Sequence, residues 1–151
     1  MSNGEQSAVS IRPMTRSDIH AILALDAKIS KGRGSLSYKD MAAADLGGPL
    51  DVSFVAEVGG NIIGFVMSRL AYVMIPFTKV CILQSILVDP DYQSRGIGVR
   101  LLGKLVSYCQ DEGISTIRAL VEEGNDELRR FVERLGFRRS TIVNYDKTFE
   151  S

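Results

Sequence analysis

The stretch that decides the fold covers residues 83–106 and reads LQSILVDPDYQSRGIGVRLLGKLV. Its first part continues a nearly all-apolar run that begins at Val80, which is typical of a strand buried on both faces. Asp89 and the proline after it end that strand. From Gly98 to Glu112 the leucines recur at helical spacing. The stretch therefore predicts a strand, a short glycine-containing turn and an amphipathic helix in succession.

The turn at residues 93–98, QSRGIG, has the properties of an anion-binding loop. Backbone N–H groups at the start of a helix lack partners within the helix, and the helix dipole adds partial positive charge there. Gly96 can adopt positive φ, and Gly98 lets a phosphate approach the backbone closely. Arg95 and Arg100 add local positive charge. The alternative interpretation is a helix-start turn whose glycines serve only the backbone.

Two other phosphate-binding patterns are absent from the sequence. It contains neither G-x-x-x-x-G-K-[ST] nor G-x-G-x-x-G. Their absence argues against a nucleoside triphosphatase and against a nicotinamide-dependent dehydrogenase.

The remaining patterns extend the prediction along the chain. Residues 1–8 are expected to form a flexible tail and residues 9–151 a single domain. The element order is strand, two helices, three strands, helix, strand, helix, strand, which indicates an α/β or α+β fold with a mixed central sheet. The predicted strands cover 8–12, 52–57, 62–70, 80–88, 116–121, 137–139 and 141–149, with a loop at 31–35 and a loop or strand edge at 72–78. The helices follow Thr15 and Ser37 and cover 98–112 and 126–135.

Composition excludes several classes of function. Eighteen basic residues balance eighteen acidic ones among 151 residues, so no broad attraction to nucleic acid or to an anionic membrane is expected. Cys81 and Cys109 have apolar neighbours and are predicted to be buried thiols of a cytoplasmic protein, with a disulfide the less favoured alternative. His20 is the only histidine, and no metal-ligand motif is present.

Two motifs together resemble the GNAT superfamily of N-acetyltransferases. Gln93-x-x-Gly96-x-Gly98, after a strand that ends Val88-Asp89, resembles the family's Q/R-x-x-G-x-G/A motif. Residues 125–137 are similar to its N-x-x-A-x-x-L-Y-x-x-x-G-F segment. The resemblance covers residues 9–149 in element order and implies a mixed, mostly antiparallel central sheet flanked by about four helices.

The resemblance also implies acetyl-CoA as co-substrate, with no metal. Asn125 would bind the pantetheine or a phosphate, although a helix N-cap is an equally good interpretation of that residue. The backbone at the end of the buried strand would pair with the pantetheine arm as an added strand. The other cofactor-binding residues implied are Ile86, Leu87 and Val88 for the pantetheine, and Gln93, Ser94, Arg95, Gly96, Ile97, Gly98 and Val99 for the pyrophosphate.

The family mechanism is direct attack of an amine on the thioester. The backbone N–H of Val88 is the implied donor to the thioester oxygen. The sequence departs from the family pattern at two positions. Val132 stands where many relatives have a tyrosine that acts as the acid. The strand position where some relatives have a glutamate base corresponds to about Ile82. Tyr145 could supply a hydroxyl, or be an ordinary strand aromatic. Gln84 and Ser85 cannot act as bases at neutral pH.

The predicted function is transfer of an acetyl group from acetyl-CoA to a primary amine. The alternative is a CoA-binding sensor or scaffold that has lost catalysis. The acceptor could be a small molecule, a peptide N-terminus or a lysine. Neither nucleic acid nor membrane is an expected partner. A homodimer is possible. The acceptor pocket is expected to be formed by the first two helices, their loop and residues 72–78.

Overall fold

A computed structural model describes residues 8–30 and 36–150, which fall in two compact units, Met1–Leu120 and Val121–Ser151. The predicted tail (except Ala8) and the 31–35 loop lie outside the described residues. The strands are β1 Ser10–Pro13, β2 Phe54–Val58, β3 Asn61–Val73, β4 Thr78–Val88 and β5 Ile117–Ala119; the helices are α1 Ile19–Ser30, α2 Tyr38–Ala44, α3 Ile97–Asp111 and α4 Asp126–Arg134.

The first unit contains a five-stranded sheet in the order β1-β2-β3-β4-β5. The strands β1 to β4 pair antiparallel, and β5 pairs parallel to β4. This mixed, mostly antiparallel sheet confirms the predicted fold class. Gly59 and Gly60 both have positive φ, 55° and 83°, and form the tight turn that joins β2 to β3.

The helices of the first unit pack on opposite faces of the sheet. Phe65 on β3 belongs to a buried cluster with Ile22 of α1 and Met41 of α2. The neighbouring Gly64 faces α3, since a β-carbon there would lie 3.3 Å from Cδ1 of Leu101. Side chains alternate between the two faces of a strand, so consecutive residues of β3 meet helices on opposite sides.

The predicted helix starts are stabilised by side-chain caps. Ser37 Oγ accepts a hydrogen bond from the N–H of Asp40 at 3.2 Å, and the Asp40 carboxylate accepts one from the N–H of Ser37 at 2.8 Å. This reciprocal arrangement is a capping box. In the second unit, the Asn125 side chain accepts a hydrogen bond from the N–H of Leu128 at 3.1 Å, which makes Asn125 the N-cap of α4.

The prediction of strands at 137–139 and 141–149 is wrong. The second unit has no strand among its described residues, and residues 137–150 are irregular. Tyr145 and Phe149 are 92% and 80% exposed. The apolar and β-branched residues of this segment give it strand propensity, but a strand forms only where another backbone supplies hydrogen-bond partners.

The segment 72–78, predicted to be loop or strand edge, contains two strand ends and the turn between them. Tyr72 and Val73 complete β3, Thr78 begins β4, and residues 74–77 form the turn of a long hairpin. Met74 in that turn has a φ of 64°. The register pairs Val73 with Thr78, so the two strands continue to the turn despite Pro76.

Candidate active site

The C-terminal half of β4 has one edge without a strand neighbour. The parallel ladder between β4 and β5 ends where Leu83 pairs with Ala119, and no described strand pairs with that edge farther along β4. On the other edge, the N–H of Asp89 donates to the carbonyl of Ile63 at 2.8 Å. Because consecutive residues of a strand point their backbone groups to opposite edges, those of Val88 point away from β3.

A β-bulge lies where this open edge begins. Met67 pairs with Ser85 and Ser68 pairs with Leu83, so Gln84 is an extra residue on β4. An extra residue changes which backbone groups face each edge of the strand and increases its local twist. The bulge therefore turns the N–H and C=O groups of Ile86 and Val88 toward the open edge.

The turn at residues 93–98 presents a row of backbone donors. Ser94 and Gly96 both have positive φ, 68° and 73°, and Gly96 is the N-cap of α3. The N–H groups of residues 94–99 have no hydrogen-bond partner within the described part of the chain. Six consecutive donors at the start of a fifteen-residue helix form a site for an anion.

The side chains around this turn suit a negatively charged ligand. Residues 93–100 contain no acidic side chain. The Arg95 guanidinium lies over the Tyr92 ring at 5.1 Å from its centroid, and an Arg100 nitrogen donates to the carbonyl of Val9 at 3.1 Å. Gln93 Nε2 lies 3.4 Å from the Val88 carbonyl oxygen, which connects the turn to the end of β4. Turn and strand end are thus adjacent parts of one surface, and together they fit a diphosphate joined to an extended amide-containing arm.

Gly64 allows the start of α3 to lie close to the sheet. A β-carbon at Gly64 would lie 3.0 Å from the Leu87 carbonyl oxygen and 3.5 Å from Cγ2 of Ile97. At Gly98 a β-carbon would meet only Cγ2 of Val88, at 3.8 Å. The glycine at 98 is therefore not required by packing within the protein, which agrees with a role in leaving room for a ligand.

A salt bridge links α1 to the segment between β4 and the turn. Lys28 Nζ lies 3.0 Å from both carboxylate oxygens of Asp89 and 3.3 Å from Asp91 Oδ2. Partial burial opposes ionisation of Asp89, but hydrogen bonds from the Asp91 N–H and from Lys28 outweigh it and lower the pKa of Asp89. The hydrogen bond to Asp89 raises the pKa of Lys28. The bridge is therefore fully charged at neutral pH.

A cavity of about 250 Å³ lies beside the bulge, between α2 and the sheet. Gln84 and Ser85, the first residues of the open edge, form part of its wall. The cavity borders the second helix but not residues 72–78, so it agrees with only part of the predicted acceptor pocket. Its lining residues are Leu36, Asp40, Ala43, Ala44, Met67, Gln84 and Ser85.

The remaining predicted site residues belong to the second unit. Asn125 uses its side-chain oxygen as the N-cap of α4, which leaves its amide nitrogen as the group for a ligand. Val132 is 7% exposed, so the position of the family's tyrosine is a buried one. Tyr145 lies in the irregular segment.

The two thiols are buried, as predicted, and the histidine lies on the surface. Cys81 and Cys109 are 0% and 2% exposed and are free cysteines. Burial raises the pKa of both thiols, that of Cys109 to about 12, which makes them poor nucleophiles. His20 is exposed, and its Nδ1 lies 3.2 Å from the Tyr38 hydroxyl oxygen.

Among the described residues, no cluster of His, Cys, Asp and Glu side chains is suited to a metal ion. No helix in the described part of the chain is long and apolar enough to cross a bilayer.

The sequence patterns missed three features of this site. Asp40 is the first, although its place three residues after Ser37 marks a capping box. Lys28 is separated from Asp89 by 61 residues, and no local pattern connects them. The bulge at Gln84 likewise has no signal in a run of apolar residues.

Similar proteins support the interpretation of this arrangement. The chain is 31% identical over 140 residues to an uncharacterized N-acetyltransferase of Methanocaldococcus jannaschii, covering 88% of this chain and 62% of the relative. It is 38% identical over 58 residues to the ribosomal protein bS18-alanine N-acetyltransferase of Escherichia coli K12, covering 38% of this chain and 39% of the relative. The chain thus spans less than two thirds of the length of either relative.

The fold is shared with solved acetyltransferases. An aminoglycoside 6'-N-acetyltransferase of Acinetobacter baumannii superposes with a TM-score of 0.77 over 95% of this chain and 99% of that one, at 17% identity. The family model described as Acetyltransferase (GNAT) family matches residues 18–137, which include the open strand edge, the turn and the cavity wall. The chain therefore belongs to the GNAT acetyltransferase family.

Proposed function

We propose that the protein transfers an acetyl group from acetyl-CoA to a primary amine. The observation that carries this proposal is the adjacency of two backbone surfaces: the free N–H groups of residues 94–99 and the open edge of β4 at Ile86 and Val88. A diphosphate needs the first and a pantetheine arm the second. Membership of the GNAT family supports the same assignment.

Acetyl-CoA supplies the acetyl thioester, and the protein's own residues bind and orient it. The backbone from Gln93 to Val99 binds the pyrophosphate. The backbone groups of Ile86 and Val88 align the pantetheine, whereas those of Leu87 face β3. The N–H of Val88 holds the thioester oxygen, where negative charge develops during attack.

The reaction involves three proton movements. The acceptor ammonium first loses one proton to water, and the neutral amine forms the new C–N bond. The nitrogen then loses a second proton as the C–S bond breaks, and the leaving thiolate takes up one proton. A thiol has a pKa of roughly 8.5, so the thiolate needs little help in leaving at neutral pH. Val132 carries no acidic group, and we propose that water or Tyr145 protonates the sulfur.

The test measures thiol release from acetyl-CoA across a panel of primary amines, together with calorimetry of acetyl-CoA binding. Transfer predicts thiol release that depends on the amine and yields an acetylated product. Tight acetyl-CoA binding with no thiol release for any amine would instead favour the sensor or scaffold function. That function is the second candidate because Val132 supplies no acid.

A further inference from the structure

The cavity beside the β4 bulge has a size and a chemistry that limit which acceptor it can hold. From these we infer that the acceptor is a monocationic primary amine with a compact apolar head, such as a peptide N-terminus that begins with a small residue. This inference rests on the proposed acetyl transfer and names its substrate class. It distinguishes a small amine from a polycationic amino sugar.

The position of the cavity makes it the acceptor side of the site. Gln84 and Ser85 both line it and begin the strand edge proposed to align pantetheine. Whatever occupies the cavity is therefore next to the edge that leads to Val88. An amine and a thioester must be held in contact for direct attack, so adjacency of the two subsites is the geometric requirement.

The size of the cavity limits what can enter. At about 250 Å³ it is smaller than the roughly 300–1,000 Å³ that encloses a drug-sized ligand. Leu36, Ala44 and Met67 give it apolar walls. A small side chain and its amino group fill such a space, whereas an amino sugar of three rings would extend beyond it through the open side.

The charge of the cavity selects a single cation. Asp40 is the one charged residue among its described lining residues. Its Oδ2 accepts hydrogen bonds from the N–H and hydroxyl of Ser37, and its Oδ1 has no partner among the described residues. One carboxylate oxygen is thus available for one ammonium group. A ligand with several positive charges would leave most of them unpaired here.

The wall on the α2 side is fixed by a buried carboxylate. Asp26 of α1 is 6% exposed, and its Oδ2 accepts a hydrogen bond from the N–H of Leu36 at 2.7 Å. This bond joins α1 to the residue that begins the cavity wall. The cavity therefore has at least one wall held in place before an acceptor binds, as selection by size requires.

The experiment compares kcat/KM for an alanyl tripeptide, a tryptophanyl tripeptide and kanamycin at saturating acetyl-CoA. We expect the alanyl peptide to exceed both others by about tenfold or more, since a mismatched head is excluded by size. Ala43→Leu fills the cavity and should lower kcat/KM for the alanyl peptide about tenfold. The matched control is Ala42→Leu, on the same helix, exposed and outside the cavity lining, which should change it less than about twofold.

A second pair of variants tests the charge. Asp40→Asn should raise KM for the alanyl peptide about threefold to fivefold, a modest effect because the carboxylate is exposed. Ser37→Ala removes capping bonds but keeps the charge at 40, and should leave KM unchanged even if stability falls. A higher kcat/KM for kanamycin than for the alanyl peptide would overturn the inference. So would equal changes in kcat/KM for Ala43→Leu and Ala42→Leu together with equal changes in KM for Asp40→Asn and Ser37→Ala. Either result would leave the proposal of acetyl transfer intact.

Binding measurements keep the inference testable without turnover. Calorimetry of the alanyl peptide with the CoA-bound protein should show the same order of variants, because CoA has no acetyl group to transfer. If no amine releases thiol but this order is found, the acceptor class stands and the transfer proposal fails. If thiol is released but the peptide binds equally to all variants, the acceptor class fails alone.

Discussion

Lys28 and Asp89 join the last turn of α1 to the end of β4 through two hydrogen bonds of 3.0 Å. Asp89 directly follows Val88, the residue proposed to hold the thioester oxygen. We expect Lys28→Met to raise KM for acetyl-CoA about twofold to fivefold, because the strand end loses one of its supports. The melting temperature should change little, since an ion pair whose lysine is half exposed contributes little to stability.

The control for that variant is Lys39→Met, which removes an exposed lysine from α2. Steady-state kinetics and thermal melts of both proteins check the prediction. An equal rise of KM in the two variants would show that net charge, and not the bridge to Asp89, is responsible.

Gly98→Glu is expected to abolish acetyl-CoA binding. The substitution places a carboxylate and a side chain among the donors of residues 94–99, where a phosphate is proposed to lie. Gly103→Glu is the matched control, since Gly103 is in the same helix and a β-carbon there would meet nothing within 4 Å. Isothermal calorimetry on both folded variants decides the matter; near wild-type affinity for Gly98→Glu would show that the turn is only structural.

Gly64→Ala should destabilise the protein by about 1–3 kcal/mol, because the new methyl group is overpacked. Its β-carbon would lie 3.0 Å from a backbone carbonyl that cannot rotate away. Gly103→Ala should instead stabilise α3 by about 0.5–1 kcal/mol, as expected for glycine replaced inside a helix. Urea denaturation measures both; no loss of stability in Gly64→Ala would mean that α3 moves away from the sheet at little cost.

The ion pair of Arg12 with Asp18 predicts a pH-dependent part of the stability. Two guanidinium nitrogens lie 2.8 Å from the two Asp18 oxygens, and this contact lowers the pKa of Asp18 below its ordinary 3.8 although burial opposes it. A depressed folded-state pKa stabilises the protein above the unfolded value and loses that effect as pH falls through the folded one. Asp18→Asn should therefore cost about 1–3 kcal/mol at pH 7.

The cost of Asp18→Asn should shrink when unfolding is measured below pH 4. Glu57 remains as a partner for Arg12 in the variant, with Nε to Oε1 at 3.1 Å. A difference between the wild type and the variant that stays constant from pH 7 to pH 3 would argue against the charge on Asp18 as its source.

Tyr145→Phe tests the proposed proton donor. If the hydroxyl protonates the leaving thiolate, kcat should fall, by up to about 100-fold, while acetyl-CoA affinity is unchanged. An unchanged kcat would leave water as the donor.

Val132→Tyr restores the family's residue type and should raise kcat if the hydroxyl reaches the sulfur. Because Val132 is buried, overpacking that costs about 1–3 kcal/mol of stability is expected. A thermal melt must therefore accompany the kinetics.

The sequence by itself determined the features that depend on neighbouring residues. The helix after Gly98, the caps at Ser37 and Asn125 and the burial of the two cysteines follow from periodicity and from local hydrogen bonds within a few residues. The glycine-containing turn at residues 93–98 was predictable for the same reason, because its glycines and the helix that follows are contiguous. These predictions needed no knowledge of distant contacts.

Only the tertiary structure decided the features that depend on register and on distant pairs. The bulge at Gln84 and the end of the β4–β5 ladder at Leu83 arise from how strands align, which a run of apolar residues does not specify. The cavity at Asp40 lies between α2 and that bulge, which are distant in the sequence. The apolar pattern after Gly136 produced no strand because propensity alone supplies no partner backbone. The spacing of apolar residues shows which side chains are buried. The site, in contrast, depends on which distant backbone segments pair with one another.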